Sequence, residues 1–443
     1  MQTILICLSI ISLILSGIFL FKSKKGEMRW WQPTLLWIPT LINLILVGYR
    51  WQFLPLIIGL FLVTIFYLLK KNTTKNSVFK TMLLSLFLVL FSVISIVPQW
   101  LFPYFQFEKP TGEYKVGVVR DFVVDDSRKV NSDKGEEVNR ELALKIYYPA
   151  KVTNEKMLPY SDGMSDLSNA LSKAQGFPAL FTKHFGTIKT NAYLDAEIID
   201  SQFPLIFFSH GMGSYGMQST FQMAELASQG YIVVSIEHPE DAAMSKTSNG
   251  TVIPYKSSKV LGANQEDLTY LNDHNIEWQK DFDKTVTYLE TKQSDKILMN
   301  ANFNKIGYLG FSYGGATAIQ SLMTNDKLKA AIDLDGALFG TDIPDSGITK
   351  PFLLINSEAS INSAKGNPEQ TNEEAAYFKE LERKNNRVKG ELVEKKVLKD
   401  SNHVSFTDLS RASSLLNEKN GDPMKNYIEI NKMVIDFFNQ YLK

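Results

Sequence analysis

The sequence predicts an α/β domain, a mostly parallel central sheet with helices on both faces, preceded by a bundle of four transmembrane helices. Three observations predict it. Four long apolar stretches follow one another in the first hundred residues. Short, continuous apolar runs recur from residue 142 onward, as in parallel strands buried on both faces. Helical patterns lie between those runs, and strand–helix alternation places helices on both sides of one sheet.

The apolar stretches cover 3–21, 30–49, 51–69 and 81–98, with no charged residue inside any of them. Each approaches the ~20 residues a helix needs to cross a ~30 Å hydrocarbon core. The first lacks a basic leading segment and a small-residue cleavage site, so it reads as an uncleaved helix and not as a signal peptide. Lys22, Lys24, Lys25 and Arg29 follow the first stretch, and Lys70, Lys71, Lys75 and Lys80 separate the third from the fourth. The positive-inside rule puts both loops in the cytoplasm. The chain is then expected in the cell membrane as a multi-pass protein, with both termini and the catalytic domain on the extracytoplasmic side. Trp30, Trp31, Trp51, Trp100 and Tyr104 stand at span ends, where interfacial aromatics belong. Pro39 bends the second span. No Asp, Glu or His lies within the four, so they read as an anchor or a lipid-contacting platform and not as an ion path.

The expected organisation is a membrane domain over 1–98, a linker over 99–112 and a soluble domain over 113–443. Basic and acidic residues number 47 each, which gives no electrostatic reason to expect a nucleic-acid partner. The single cysteine, Cys7, supports neither an intrachain disulfide nor a cysteine metal site.

In the soluble part, strands are expected at 142–148, 203–208, 231–236, 305–310, 329–334, 351–356 and 392–398. Helices are expected at 217–229 and 275–292. Thr371 and Glu374 have capping-box spacing ahead of a third helix. Segments 156–199 and 358–390 fit poorly into the sheet. The first is read either as a lid over the site or as surface elaboration.

Chemistry centres on Gly310-Phe311-Ser312-Tyr313-Gly314, which follows an apolar strand and precedes a helical run. That context is a nucleophile elbow: glycines at 310 and 314 leave room for a tight strand-to-helix turn that presents Ser312. It identifies the domain as an α/β-hydrolase fold. A serine hydroxyl needs a general base. Of five histidines, His403 alone lies C-terminal to Ser312, as the chain order of this fold requires, and it sits in a polar loop after the last strand. The acid that orients it is either Asp335, ending the strand at 329–334, or Glu358, ending that at 351–356. The oxyanion donors are expected to be the backbone N–H groups of Tyr313 and of Met212, the latter in Ser209-His210-Gly211-Met212-Gly213. His210 is expected to brace that loop, and His238 to be structural. No metal-ligand spacing is present, and no cofactor is called for.

With these residues the chain resembles the plasma-type platelet-activating-factor acetylhydrolases, the lipoprotein-associated phospholipases and their bacterial relatives, over about 109–406. The matching pieces are Thr111 to Gly117, Tyr147-Tyr148-Pro149, Tyr193 to Ala196, Phe208 to Gly211 and Glu237-His238. They continue with Ser312 to Thr317, Leu334-Asp335 and Ile355 to Glu358. The resemblance implies Asp335 as the acid, His403 as the base, oxyanion donors at Met212 and Tyr313, and calcium-independent cleavage of short or oxidised sn-2 acyl chains from phospholipids. The chain departs at Gly336-Ala337-Leu338-Phe339, where the family has a bulkier tryptophan-containing run. It also has Phe311 where histidine is common; both positions border the acyl pocket.

The expected function is therefore a serine hydrolase of lipid-like carboxylic esters, working through Ser312, His403 and Asp335 beside a bilayer. Three rivals stand beside it: an anchored esterase of small soluble esters resembling dienelactone hydrolases, an acyltransferase, and a silent hydrolase-fold scaffold.

Overall fold

In a computed structural model of the chain, residues 1–22, 31–69, 78–160, 164–256, 264–364, 371–419 and 421–443 are described. They form two compact units: Met1–Gln106 with Arg411–Leu415, and Phe107–Ser410 with Leu416–Lys443.

The first unit contains α1 (Gln2–Lys22), α2 (Thr34–Val47), α3 (Leu54–Leu69) and α4 (Val78–Leu101). Among the described residues, three segments are helical, long and apolar enough to cross a membrane: Gln2–Phe21, Trp51–Leu68 and Thr81–Leu101. The expected second span is different. α2 has 14 residues, or ~21 Å at the helical rise, against a hydrocarbon core of ~30 Å. Pro33 bounds it at the N-cap, and Gly48 ends it at φ 72°. The lysine-rich segments 23–30 and 70–77, on which the orientation expectation rests, lie outside the described residues. Leu36, Leu56 and Leu60 are fully buried between the helices. Small polar side chains join them: Ser9 Oγ donates to Gln99 Oε1 at 3.0 Å, Ser12 Oγ to the Leu36 carbonyl at 2.9 Å, and Asn43 Nδ2 to the Leu5 carbonyl at 3.1 Å. Such bonds hold helices together where lipid removes the hydrophobic incentive to associate.

In chain order the second unit begins with β1 (Lys115–Asn131), β2 (Glu137–Lys151), β3 (Met157–Pro159), α5 (Met164–Gln175), β4 (Lys189–Leu194) and β5 (Glu197–Ile198). Next come β6 (Phe203–Ser209), α6 (Thr220–Ser228), β7 (Ile232–Glu237), β8 (Met244–Lys246), β9 (Val252–Pro254) and α7 (Gln265–Thr291). Then follow β10 (Ala301–Phe311), α8 (Tyr313–Thr324), β11 (Leu328–Leu334), β12 (Phe352–Ser357) and α9 (Glu358–Ala364). The chain closes with α10 (Asn372–Arg387), β13 (Val393–Leu398) and α11 (Pro423–Leu442). The main sheet runs β13-β12-β11-β10-β6-β7-β2-β1-β4-β3, with β5 beside β2. From β13 to β7 every pairing is parallel, and β2 joins antiparallel to both β7 and β1. Helices cover both faces of this mostly parallel sheet.

β10 is central. Its Leu309 stands in register with Phe208 of β6 and Ile332 of β11. Consequently the ends of three adjacent strands converge on one edge, which is where an open α/β sheet holds its ligand. Phe207, Tyr308, Ile319, Leu322 and Ala331 are fully buried around this centre. The capping box of Thr371 and Glu374 starts α10, and Asn264 caps α7 by accepting the Asp267 N–H.

Candidate active site

The turn between β10 and α8 is as tight as its glycines require. Ser312 adopts φ 55° and ψ −118°, a conformation that costs an L-residue energy and that surrounding structure must impose. Its N–H donates to the Leu334 carbonyl at 2.9 Å, which ties the turn to β11. A Cβ on Gly310 would lie 2.0 Å from the Gly314 carbonyl oxygen, and one on Gly314 only 2.3 Å from that of Ser209. Both obstacles are backbone, so neither can swing aside. Gly314→Ala is expected to cost ~3 kcal/mol of stability and to displace Ser312. Thermal unfolding together with an ester assay measures both, and wild-type values would refute the clash.

Ser312, His403 and Asp335 come together in one hydrogen-bonded line. His403 Nε2 lies 3.0 Å from Ser312 Oγ, and His403 Nδ1 lies 2.8 Å from Asp335 Oδ2. The His403 side chain is 47% exposed and that of Asp335 is fully buried, so solvent reaches the imidazole but not its acid. Phe311 packs its ring against the imidazole, with centroids 4.6 Å apart. The Asp335 carboxylate also accepts the Ser357 N–H at 2.6 Å, the Ser357 hydroxyl at 3.0 Å and the Ser360 hydroxyl at 2.8 Å. Burial pushes its pKa up, but the His403 hydrogen bond and charge, with the Ser357 and Ser360 donors, hold it below the usual carboxylate range.

The other candidate acid stands elsewhere. Glu358 accepts the Asp400 N–H at 2.9 Å, so it supports the loop carrying His403 without touching the imidazole's Nδ1. Asp333 lies behind the elbow, fully buried. Its Oδ1 accepts the Gly336 N–H at 2.8 Å, and its Oδ2 has no partner among the described residues. Burial pushes its carboxyl well above the usual range.

The loop after β6 lies against Ser312: a Cβ on Gly211 would sit 3.2 Å from the serine Cβ. Within it, the Gly211 N–H donates to Gln218 Oε1 at 3.0 Å and the Gly213 N–H to the Asp241 carbonyl at 2.7 Å. Among the described residues the N–H groups of Met212 and Tyr313 have no acceptor. α5, from the segment that fitted poorly into the sheet, reaches this loop as well, Gln175 Nε2 donating to the Met212 carbonyl at 3.1 Å.

His210 and His238 are both wholly buried. His210 Nδ1 bonds the Gly211 carbonyl at 2.8 Å, and its Nε2 accepts the His238 N–H at 3.1 Å. Burial, then the neighbouring His238, pull the His210 pKa down to about 3. The unfolded chain binds a proton there below ~6.5 and the folded chain does not, so this stabilisation is present above ~6.5 and is lost as pH falls from there toward 3. Between pH 7 and 5 the wild type is therefore expected to lose ~1–2 kcal/mol relative to His210→Asn. Asp408, whose buried carboxyl is pushed up to about 8, contributes the opposite slope in both proteins and cancels. Denaturant midpoints of the full chain in detergent at the two pH values test this; parallel losses would refute it.

Sequence reasoning missed Ser357, Ser360 and Gln218. The first two flank Glu358 and complete the hydrogen bonding of Asp335. The signal available was a Ser-x-x-Ser spacing at a strand end, which acquires meaning once β11 and β12 are known to be neighbours.

The family model described as platelet-activating factor acetylhydrolase, isoform II, matches residues 101–277 and 274–412. The platelet-activating factor acetylhydrolase of Cavia porcellus is 26% identical over 304 residues, 62% of this chain and 65% of its own length. That of Bos taurus is 26% identical over 246 residues, 50% of this chain and 55% of its own length. The chain thus spans between about half and two thirds of the curated relatives it matches. Among solved structures, a ferulic acid esterase from Streptomyces cinnamoneus superposes with a TM-score of 0.60 at 23% identity, covering 76% of this chain and 93% of that one. At that identity the likeness establishes the fold.

Proposed function

The chain belongs to the family of platelet-activating factor acetylhydrolase, isoform II, and from that premise we propose that it is a membrane-anchored serine hydrolase of carboxylic esters. One observation carries the proposal: the line from Ser312 Oγ through His403 to the buried Asp335, at 3.0 and 2.8 Å, starting at a strained elbow beside two backbone N–H groups that lack acceptors among the described residues.

Ser312 Oγ attacks the ester carbonyl carbon while His403 Nε2 takes its proton. The carbonyl π electrons move onto oxygen, where the Met212 and Tyr313 N–H groups receive the charge. Asp335 holds Nδ1–H toward itself, which leaves Nε2 free to accept and stabilises the imidazolium. The tetrahedral carbon then expels the alcohol oxygen, which takes the proton from His403. Water repeats the cycle on the acyl-serine, releasing the carboxylic acid and restoring Ser312.

For the substrate we propose phospholipids with short or oxidised sn-2 acyl chains. Relatives named for platelet-activating factor support this reading, as do three helices with the length and composition to cross a bilayer. Labelling of the full chain in membranes with a fluorophosphonate tests the activated serine; it is expected before heating and absent afterwards. No labelling of folded protein would overturn the hydrolase reading. A series of sn-2 chain lengths in vesicles, compared with soluble esters, tests the substrate class. Equal turnover of both would favour a small-ester esterase, and partition to added alcohols an acyltransferase.

A further inference from the structure

We propose that a second Ser–His–Asp line, Ser209–His238–Asp281, makes no bonds to substrate but sets the oxyanion loop, and that His210 is the positioning residue through which it acts. The inference rests on the hydrolase reading above.

His238 Nε2 lies 2.9 Å from Ser209 Oγ, and its Nδ1 lies 2.8 Å from Asp281 Oδ2. The spacing matches that of the exposed line, yet Ser209 and His238 are wholly buried, as is the Asp281 side chain. No ester reaches them. What this line does is read from where its protons must be. Asp281 is held as a carboxylate by Arg140, which donates to its two oxygens at 2.9 and 2.6 Å, and by Arg128 at 2.6 Å. His238 therefore donates from Nδ1, and its Nε2 accepts from Ser209, whose oxygen in turn accepts from the Tyr308 hydroxyl at 2.7 Å.

With its ring fixed at both nitrogens and stacked on Trp278 at 3.8 Å, His238 also holds its own backbone in place. Its N–H donates to His210 Nε2 at 3.1 Å, which requires that nitrogen to be bare and puts the His210 proton on Nδ1. From there it is donated to the Gly211 carbonyl at 2.8 Å. The Gly211 carbonyl and the Met212 N–H belong to one planar trans peptide unit and point in opposite directions. Holding the carbonyl on one side therefore aims the N–H to the other. Asp281 and Trp278 both stand on α7, and the rings of Trp278 and Tyr313 meet edge to face with centroids 5.0 Å apart. Tyr313 is further fixed by its hydroxyl, which donates to the Leu271 carbonyl of α7 at 2.7 Å. One helix thus sets both oxyanion donors.

The test is steady-state hydrolysis by the full chain in detergent, with His210→Ala, His210→Asn and His210→Gln compared with wild type. A misaimed donor lowers the transition state's stabilisation and leaves ground-state binding alone. For His210→Ala we expect kcat down ~10–100-fold, KM within two-fold, and affinity for an alkylboronic acid down by the same factor as kcat. The pH midpoint of kcat is expected to stay put, because His403 is untouched. His210→Asn places an amide N–H where Nδ1–H stood and is expected to recover most of the loss. His210→Gln keeps only an acceptor near the Nε2 position and is expected not to. Should His210→Ala fail to fold, the Asn and Gln pair decides alone. Equal rates for that pair would overturn the proposal, as would kcat and boronate affinity within two-fold of wild type in His210→Ala, or losses accompanied by a moved pH midpoint. Wild-type turnover that survives Ser312→Ala would instead bring down the hydrolase reading.

Discussion

Ser312→Ala, His403→Ala and the double variant are expected to lose the same factor in kcat, on the order of 10⁶. The equality follows from the geometry. In the proposed mechanism Ser312 Oγ is a nucleophile only while His403 Nε2, 3.0 Å away, can take its proton. Removing the imidazole leaves a hydroxyl that is almost never ionised at neutral pH, and removing the hydroxyl leaves a base with nothing to activate. Either loss disables the whole line, so the second adds nothing. What remains is the contribution of the oxyanion loop and of substrate positioning, roughly 10³–10⁴ over water. Initial rates of the three variants in detergent or vesicles measure this. A double variant ten-fold or more below both singles would show that the two residues act separately.

Asp335→Asn is expected to lower kcat by ~10⁴, whereas Glu358→Gln is expected to stay within about two-fold. The asparagine keeps the shape, and its Oδ1 can still accept the Ser357 N–H. Its neutral amide supplies no charge to the imidazolium, and an N–H turned toward Nδ1 imposes the wrong tautomer, with Nε2 protonated against Ser312. Among the described residues Glu358 accepts only the Asp400 N–H, a contact that glutamine's carbonyl reproduces. The pair of variants separates two carboxylates that sequence position alone leaves equivalent, since both follow a strand at the same edge of the sheet. A large loss in Glu358→Gln with an active Asp335→Asn would reverse the assignment.

Elements buried on both faces were the most legible in the sequence. β6, β7, β10, β11 and β12 are continuous apolar runs, and little else in a chain of this length produces them. β1 was missed because charged residues such as Arg120 and Asp121 interrupt its buried Val116, Val118 and Val123, so no continuous apolar run marks it. The second apolar stretch was counted as a span because hydropathy does not register where a helix begins and ends. Pro33 and Gly48 set those limits through backbone geometry. At the site, local context and chain order singled out Ser312 and His403, which the fold brings to 3.0 Å from each other. Ser357, Ser360 and Asp281 were not singled out, because their meaning depends on which strand or helix lies beside which. A buried aspartate in the middle of a charged helix looks like any solvent-facing acid until Arg128, Arg140 and His238 are seen around it.

The central position of β10 also bears on how the protein is made. Its partner β6 leaves the ribosome about a hundred residues earlier, and His403 follows Ser312 by 91 residues. During synthesis β6 and β7 must wait with an open parallel edge, a state that pairs poorly with itself and invites association with other chains. The elbow can form once β10 docks, but it remains without its histidine until the loop after β13 has emerged. A nascent chain stalled before residue 403 therefore carries Ser312 without the imidazole that would take its proton in the proposed mechanism.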